Sequence, residues 1–341
     1  MNAELLSMLC CPHDRSPLTL QGSRLRCEHG HSYPVVDGVP VLLRDDVPQT
    51  IWMAASSLRR ANDYADGAGA DDWFIDTIGA DETQRQQVEV ARKTANQMVD
   101  PVASYLVGAT NGILYRNMVG AMTQYPIPDI PLPKGNGRRL LDVGCSWGRW
   151  SIAASRKGYV PVGIDPSLGA VLAARRIARS MGVQFEGIVG DARFLPFRPG
   201  SFDDVFSYSV LQHFSKPDAR TALLEVRRVL KPDGRSLIQM ASAFGVRSLQ
   251  HQVWRGFKEP KGFEVRYWTP GELLSVFREI FGRAEVKPDC YFGLGLQASD
   301  AVLLSTPKRL LVGTSEALKR AAQIVPPLRY FADSLYLSSG L

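Results

Sequence analysis

From residue 139 onward, short runs that are apolar at nearly every position alternate with longer stretches whose apolar residues recur at helical spacing. "RLLDVGC" reads as a strand and "GRWSIAASRKG" as a helix, and "VPVGIDP" and "LGAVLAARRIARSMG" repeat the pair. "VQFEGIVGD" and "FDDVFSYSV" are further strands. "DARTALLEVRRVL" is a helix that stops before the turn "KPDGR", and "SLIQMAS" is a fifth strand. Strands this apolar are buried on both faces, and their alternation with helices predicts a parallel, doubly wound α/β sheet. In "TPGELLSVFREIFG", Thr269 is placed as an N-cap, with Pro270 at the first helical position and Glu272 at the third. That helix leads to "AEVKPDCYFG", expected as an antiparallel strand. The tail "ALKRAAQIVPPLRYFADSLYL" reads as an amphipathic helix, a proline break and a second helix.

Upstream the pattern changes twice. Residues 1–45 read as short strands joined by turns: "SPLTL" and "RLRCE" flank "QGS", and Asp37-Gly38 supplies the turn inside "YPVVDGVPVLL". From Asp46 to Tyr125 the spacing is helical, in "SLRRANDYADG" and in the long run from "DETQRQQVEV" to "NMVGAM". "YPIPDIPLPKGNGRR", with four prolines and two glycines, is a connector. The chain therefore divides into a small β unit (1–45), a helical lid or linker (46–135), an α/β domain (136–305) and a C-terminal helical extension (306–341).

Composition narrows the class. The 341 residues are 45% hydrophobic and 22% charged, which is ordinary for a folded α/β protein. The net charge of +6 is spread along the chain without a block of like charges, so it is a mild pointer to an anionic partner. Five cysteines, two of them adjacent, do not make a disulfide framework and point to reduced thiols and a cytoplasmic setting. The N-terminus lacks the basic start and cleavage site of a signal peptide, and no apolar run is long enough to span a bilayer.

The chemistry concentrates at strand ends. "LLDVGCSWGRW" runs from a strand ending at Asp142 through Gly144, Cys145, Ser146 and Gly148 straight into a helix. Glycines there allow a tight turn and close approach of a ligand to the backbone. The second strand ends at Asp165-Pro166, about twenty residues beyond the loop, where a carboxylate accepts both ribose hydroxyls of an adenosine ligand. Asp191, at the end of the third strand, is placed to accept from an adenine amino group, while the N–H of Ala192 reaches a ring nitrogen. The fourth strand has a polar end that carries Tyr208 and Ser209.

Together, Asp142-x-Gly144-x-x-x-Gly148, Asp165, Gly190-Asp191-Ala192, "SFDDVFSYSVLQHF" and "LKPDGR" resemble the ordered motifs of class I S-adenosylmethionine-dependent methyltransferases of the ubiquinone-biosynthesis type, over residues 138–300. The resemblance implies a Rossmann-like sheet, mostly parallel with an antiparallel last strand. It implies S-adenosylmethionine as cofactor, held by Asp142, Gly144, Cys145, Ser146, Gly148, Asp165, Pro166, Asp191, Ala192, Tyr208 and Ser209. Ser146 stands where the family usually has a glycine. Trp147 and Trp150 flank the loop, and packing of the first helix is the plainer role for Trp150. Methyl transfer from a sulfonium is an in-line displacement, so the enzyme's task is alignment and exclusion of water, with a base where the acceptor must lose a proton. His213 in "SVLQHF" is the candidate base, since it lies just past the fourth strand; capping or packing of the next helix is its plainer role. His251 is a second candidate. Arg266, Tyr267 and Trp268 are candidates to line the acceptor pocket.

The first β unit holds three of the five cysteines and three of the five histidines. Cys11 and Asp14 form one close pair and Cys27 and His31 another, a spacing that suits tetrahedral zinc in a ribbon; His13, His29 and Cys10 are spare candidates. "LLSMLCCPHDRSPL…LRCEHGHSYPVVDGVPVLL" resembles the zinc-ribbon module that activates tRNA and ribosomal methyltransferases as a partner subunit or a fused domain. That family uses C-x-x-C twice, so Asp14 and His31 are departures.

Two functions follow. One is a small-molecule methyltransferase acting on a hydroxyl or an activated carbon of a metabolite or sugar, with the helical segment as a lid. The other is an RNA methyltransferase using the ribbon and the basic charge to hold nucleic acid; no Asn-Pro-Pro-Tyr-like motif follows the fourth strand, where "SYSVLQ" stands instead. A non-catalytic binding module is a third reading, which the intact Asp165 and Asp191 oppose. The tail is expected to dock on the domain, with a homodimer or contact with a membrane surface as the alternatives, since only about half a face is apolar and basic residues are few.

Overall fold

The computed structural model describes the chain except residues 65–73, 95–98, 111–121, 294 and 341. Helix α1 (Ala3–Met8) opens the chain, capped by the Asn2 side chain. A four-stranded antiparallel sheet follows: β1 (Thr19–Gln21), β2 (Arg24–Arg26), β3 (Ser32–Val36) and β4 (Val39–Pro40). Its last turn has both Asp37 and Gly38 at positive φ (47° and 75°), as the Asp-Gly pair predicts for a two-residue hairpin.

Helices α2 (Trp52–Asn62), α3 (Glu82–Lys93) and α4 (Pro101–Thr110) follow, α3 starting in a capping box of Asp81 and Gln84. The helix read across 111–121 lies outside the described residues. The connector before residue 139 is extended, and Ile130 and Leu132 anchor it beside Trp150.

The large sheet is built from β5 (Arg139–Val143), β6 (Val160–Asp165), β7 (Glu186–Val189), β8 (Phe202–Ser207), β9 (Leu230–Ala241), β10 (Glu285–Cys290) and β11 (Ser334–Ser339). The strand order is β10-β11-β9-β8-β5-β6-β7. Strands β5 to β9 pair in parallel, and β11 runs antiparallel to both neighbours. This is the mostly parallel, Rossmann-like sheet with an antiparallel last strand that the sequence predicts. Helices α5 (Arg149–Arg156), α6 (Leu168–Ser180) and α7 (Lys216–Val229) link the parallel strands. Helices α8 (Val246–Trp254), α9 (Pro270–Phe281) and α10 (Thr306–Ile324) follow β9 and β10. The α9 start is the expected capping box, with Thr269 and Glu272 bonded reciprocally.

Three readings are corrected. The strand expected to be antiparallel, β10, runs in the same direction as β9, and the reversed strand is β11 between them. The tail's expected second helix is strand β11, inserted between β9 and β10. Ser334, Tyr336 and Ser338 alternate with Leu335 and Leu337, and every one of these side chains is buried. An alternating strand enclosed by partners on both edges reads from sequence as half of an amphipathic helix. The expected turn "KPDGR" is absorbed into the start of β9, opposite a register shift between Phe202 and Asp204.

The small sheet is joined to the large one. Leu9 pairs with Phe197, Cys10 N–H donates to Pro196 O, and Leu42 N–H donates to Val189 O on the edge strand β7. Leu5, Leu9, Leu25 and Tyr33 pack in one cluster with Leu195, Phe197 and Leu223. Val36, Val39, Val41 and Leu43 pack in a second with Val171, Leu172 and Val189.

Candidate cofactor and metal sites

The ends of β5, β6 and β8 bring the glycine loop, Asp165 and Ser209 to one edge of the sheet. Gly144 (φ 76°) and Gly148 (φ 85°) take left-handed backbone, and so does Ser146 (φ 48°), a conformation that favours glycine. That explains why a glycine is common at the Ser146 position. A Cβ on Gly144 would run into the Val210 side chain, so packing as well as the positive φ keeps this position a glycine. Within the loop, the N–H groups of Gly144 and Cys145 both donate to Ile164 O, and that of Ser146 donates to Asp165 Oδ2 at 3.0 Å. Cys145 points into the core, and burial pushes its thiol well above the usual range. Its contribution at this edge is backbone alone.

Two carboxyls flank the loop, Asp142 buried and Asp165 half-buried. Asp165 accepts N–H groups from Ser146 and Ser167, one on each oxygen, and burial raises its pKa to about 6. A carboxylate has about four acceptor sites, so two remain for a pair of hydroxyls. Asp142 Oδ2 accepts from the Ser151 hydroxyl at 2.7 Å, while Oδ1 is buried without a partner among the described residues. Burial, with Asp165 nearby, raises Asp142 to about 7. A buried acceptor lacking a donor, beside a left-handed glycine loop, fits a ligand that carries an ammonium group.

Other expected residues are placed differently. The Asp191 carboxylate caps the turn Ala192–Phe194 and is held by the Arg193 guanidinium at 2.7 Å. Arg193 also donates to Pro48 O, tying this strand end to the segment after the small sheet. The Asp191 oxygens are thus engaged by a partner that the sequence reading missed. The Tyr208 ring packs on Trp150, and its hydroxyl donates to Asp289 and accepts from Gln297. It belongs to a polar cluster under β9–β11 and is not brought to Asp165. Ser209 (φ 61°) is held by Gln239 through its N–H and by Gln212 through its hydroxyl. Pro166 O accepts from Ser57 Oγ, which also accepts the Leu168 N–H, and Thr77 takes the Gly169 N–H. Ser57 and Thr77 fasten the helical segment to the start of α6, next to Asp165. Single hydroxyls with partners so distant in sequence carry no local signal.

His213 stacks on Phe263 at 3.8 Å, and its Nδ1 lies 2.7 Å from Phe263 O. With Nδ1–H donating to that carbonyl, Nε2 holds the lone pair. Burial lowers its pKa to about 4, so the ring is neutral at physiological pH. His251 Nδ1 lies 3.0 Å from the Tyr267 hydroxyl. Arg266 donates to the backbone carbonyls of His213 and Pro260, and Trp268 is buried, so both hold the loop that carries Phe263. A cavity of about 860 Å³ beside β10, β11 and α10, lined by Leu237, Lys287 and Tyr336 among others, includes none of the expected cofactor residues.

In the small sheet, Cys11, Asp14, Cys27 and His31 place one ligand atom each within 4.8 Å of the others. His31 Nδ1 is 3.5 Å from Cys11 Sγ, 3.3 Å from Cys27 Sγ and 3.1 Å from Asp14 Oδ2. Tetrahedral zinc, with bonds of about 2.0–2.3 Å, sets donor–donor edges of roughly 3.3–3.8 Å, so the four residues fit it. Hydrogen bonds from Ser16 hold Asp14 ionised, well below the usual carboxylate range. The Tyr33 hydroxyl lies 3.0 Å from Cys11 Sγ and 2.6 Å from His13 Nδ1, a support of the kind that orients metal ligands. The spare candidates sort out: Cys10 is buried against the large domain, His29 pairs with Asp14, and His13 faces Asp45 and Asp46.

A family profile described as a methyltransferase domain matches residues 140–234. Demethylmenaquinone methyltransferase of Geobacillus kaustophilus is 33% identical over 176 residues, 45% of this chain and 74% of that protein. A tRNA (carboxymethyluridine(34)-5-O)-methyltransferase of Mus musculus is 28% identical over 158 residues, 46% of this chain and 21% of that protein. The crystal structure of YcgJ from Bacillus subtilis aligns with 23% identity and a TM-score of 0.39, over 60% of this chain and 91% of that one. The chain spans 21% and 39% of the lengths of two curated relatives it matches, the mouse enzyme and YcgJ. The strand order, the glycine loop between the Asp142 and Asp165 carboxyls, and the kinship with the Geobacillus enzyme agree: this chain belongs to the class I S-adenosylmethionine-dependent methyltransferases.

Proposed function

We propose that this chain transfers a methyl group from S-adenosylmethionine to a hydroxyl, or to an activated carbon, of a small-molecule metabolite or sugar, leaving S-adenosylhomocysteine. The observation that carries the cofactor assignment is the pair of carboxyls, Asp142 buried and Asp165 half-buried, on either side of the left-handed Gly144–Gly148 loop. When bound, the cofactor supplies an electrophilic methyl group on a sulfonium. Asp165 accepts the ribose hydroxyls with its two remaining acceptor sites. Asp142 Oδ1 faces the ammonium end, the Gly144–Gly148 loop lies along the methionine chain, and the Ala192 N–H meets the purine edge. Asp191 serves chiefly to clamp Arg193. His213, neutral and with Nδ1 held by the Phe263 carbonyl, is the base for an acceptor that must lose a proton. The helical segment 46–135 is the lid, fastened beside Asp165 by Ser57 and Thr77.

The acceptor class rests on the surroundings of His213. Phe263 stacks on the imidazole, and the Arg266 guanidinium is turned onto backbone carbonyls. An aromatic rim suits an apolar or ring-bearing acceptor better than a phosphate backbone. RNA is the second reading, because the curated relatives include a tRNA methyltransferase and a tRNA carboxymethyltransferase. We further infer that Cys11, Asp14, Cys27 and His31 hold a structural zinc ion. The test is product formation with purified protein, offered hydroxylated small molecules or total tRNA. Turnover with tRNA alone would overturn the small-molecule reading. Replacing His213 by Ala should lower kcat about 10²-fold or more while cofactor affinity holds; unchanged turnover would remove it as the base.

A further inference from the structure

Helix α8 is inside out. Its buried face is polar: Ser248 donates through both N–H and hydroxyl to Asp333, Gln252 donates to Ala243 O and Ser248 O, and His251 meets Tyr267. Its outward face carries Val246, Leu249, Val253 and Trp254, the last 68% exposed. The flanking loops add Phe244, Phe257 at 66% and Phe263 at 52%. Seven large apolar side chains are thus in solvent within residues 244–263, whereas a helix on a soluble domain normally turns that face inward. Interleaved with them in the chain are Arg247, Lys258 and Lys261, against Glu259 and Glu264, while Arg255 is turned inward onto Val265 O and the Tyr267 ring.

We propose that this face docks the protein on the surface of an anionic phospholipid bilayer. Aromatic and aliphatic side chains beside basic ones are what an interface of acyl chains and negative headgroups takes up. A second copy of the chain fits less well. A two-fold contact would bring the three cations of each copy against the same three, with two carboxylates per copy to offset them. The polar anchors to Asp333 hold the helix by its polar side, so the apolar side is presented without unfolding. The face adjoins the carboxyl edge of the sheet through the contact of Phe263 with His213. Vesicle binding is measured without cofactor or acceptor, so its result is separate from the methyl-transfer reading.

The test is flotation of the full chain with vesicles of phosphatidylcholine containing about one-third phosphatidylglycerol, and with phosphatidylcholine alone. Co-flotation with the anionic vesicles, weakened by salt and in the Lys258→Glu/Lys261→Glu variant, is expected. The Trp254→Ser/Phe257→Ser variant should bind about tenfold less while its melting curve is unchanged, since both side chains are exposed. No flotation with anionic vesicles, or flotation indifferent to these substitutions, would overturn the proposal. So would a dimer seen by ultracentrifugation that Trp254→Ser abolishes in a chain that ignores vesicles, which would assign the face to self-association.

Discussion

Asp165 must be ionised to accept two hydroxyl donors, and burial holds its pKa near 6. On the methyl-transfer reading, cofactor binding favours the ionised form, so affinity should fall as pH drops below about 6, by up to about tenfold per unit. Calorimetric titration with S-adenosylhomocysteine at pH 5, 6 and 7.5 measures this; a flat profile would exclude Asp165 as the ribose acceptor. The sign for stability is opposite. Asp142 and Asp165 lie above the usual carboxylate value of 3.8 when folded, at about 7 and 6. Between 3.8 and those values the folded chain binds more protons than the unfolded one. Their contribution to stability is therefore greatest near pH 4 and falls as pH rises toward 7. Asp142→Asn should flatten that part of the pH–stability curve in denaturant titrations. Ser146 is read at the same scale: Ser146→Gly should relieve a left-handed backbone at a cost of order 1 kcal/mol and raise Tm slightly, without loss of cofactor binding.

The small sheet is an element that forty residues cannot stabilise by their own core. A metal at Cys11, Asp14, Cys27 and His31 is one support, and packing on β7 and on the Leu195–Phe197 segment is the other. Free zinc one-hundredfold above its Kd would add about 2.7 kcal/mol. Elemental analysis of purified protein should therefore show one zinc per chain, lost in Cys27→Ser, with a lower Tm for that variant. Because of the second support, the sheet should not unfold outright on chelation, unlike an isolated zinc finger. A wild-type protein free of zinc, with a Tm indifferent to chelator, would leave the ribbon held by packing alone.

Across the whole molecule, Phe197 is the seam. Its ring is fully buried, it pairs with Leu9 of the small sheet, and it meets Phe202 edge-on at 4.9 Å. Phe197→Ala should cost about 3–5 kcal/mol in urea unfolding and expose the N-terminal forty residues to protease first. A loss of stability without early cleavage there would mean that the two sheets do not share this contact.

The large parallel sheet was legible because it is written in local signals: unbroken apolar strands, glycines at the first strand's end, and acids at the next two. So were the Thr269 capping box, the Asp37-Gly38 turn, and the spacing that brings Cys11, Asp14, Cys27 and His31 together. Each needs only neighbours in sequence, or pairs at short separation, to make its physical case. Strand β11 was not legible, since alternation inside a sheet and one face of a helix look alike until both edges are paired. Nor was the capture of Asp191 by Arg193, the turning of Tyr208 toward Asp289, or the fastening of Ser57 and Thr77 to α6. The outward apolar face of α8 is the clearest case. Sequence gives the helix two faces, and only the position of Asp333, 85 residues from Ser248, decides that the polar one turns inward.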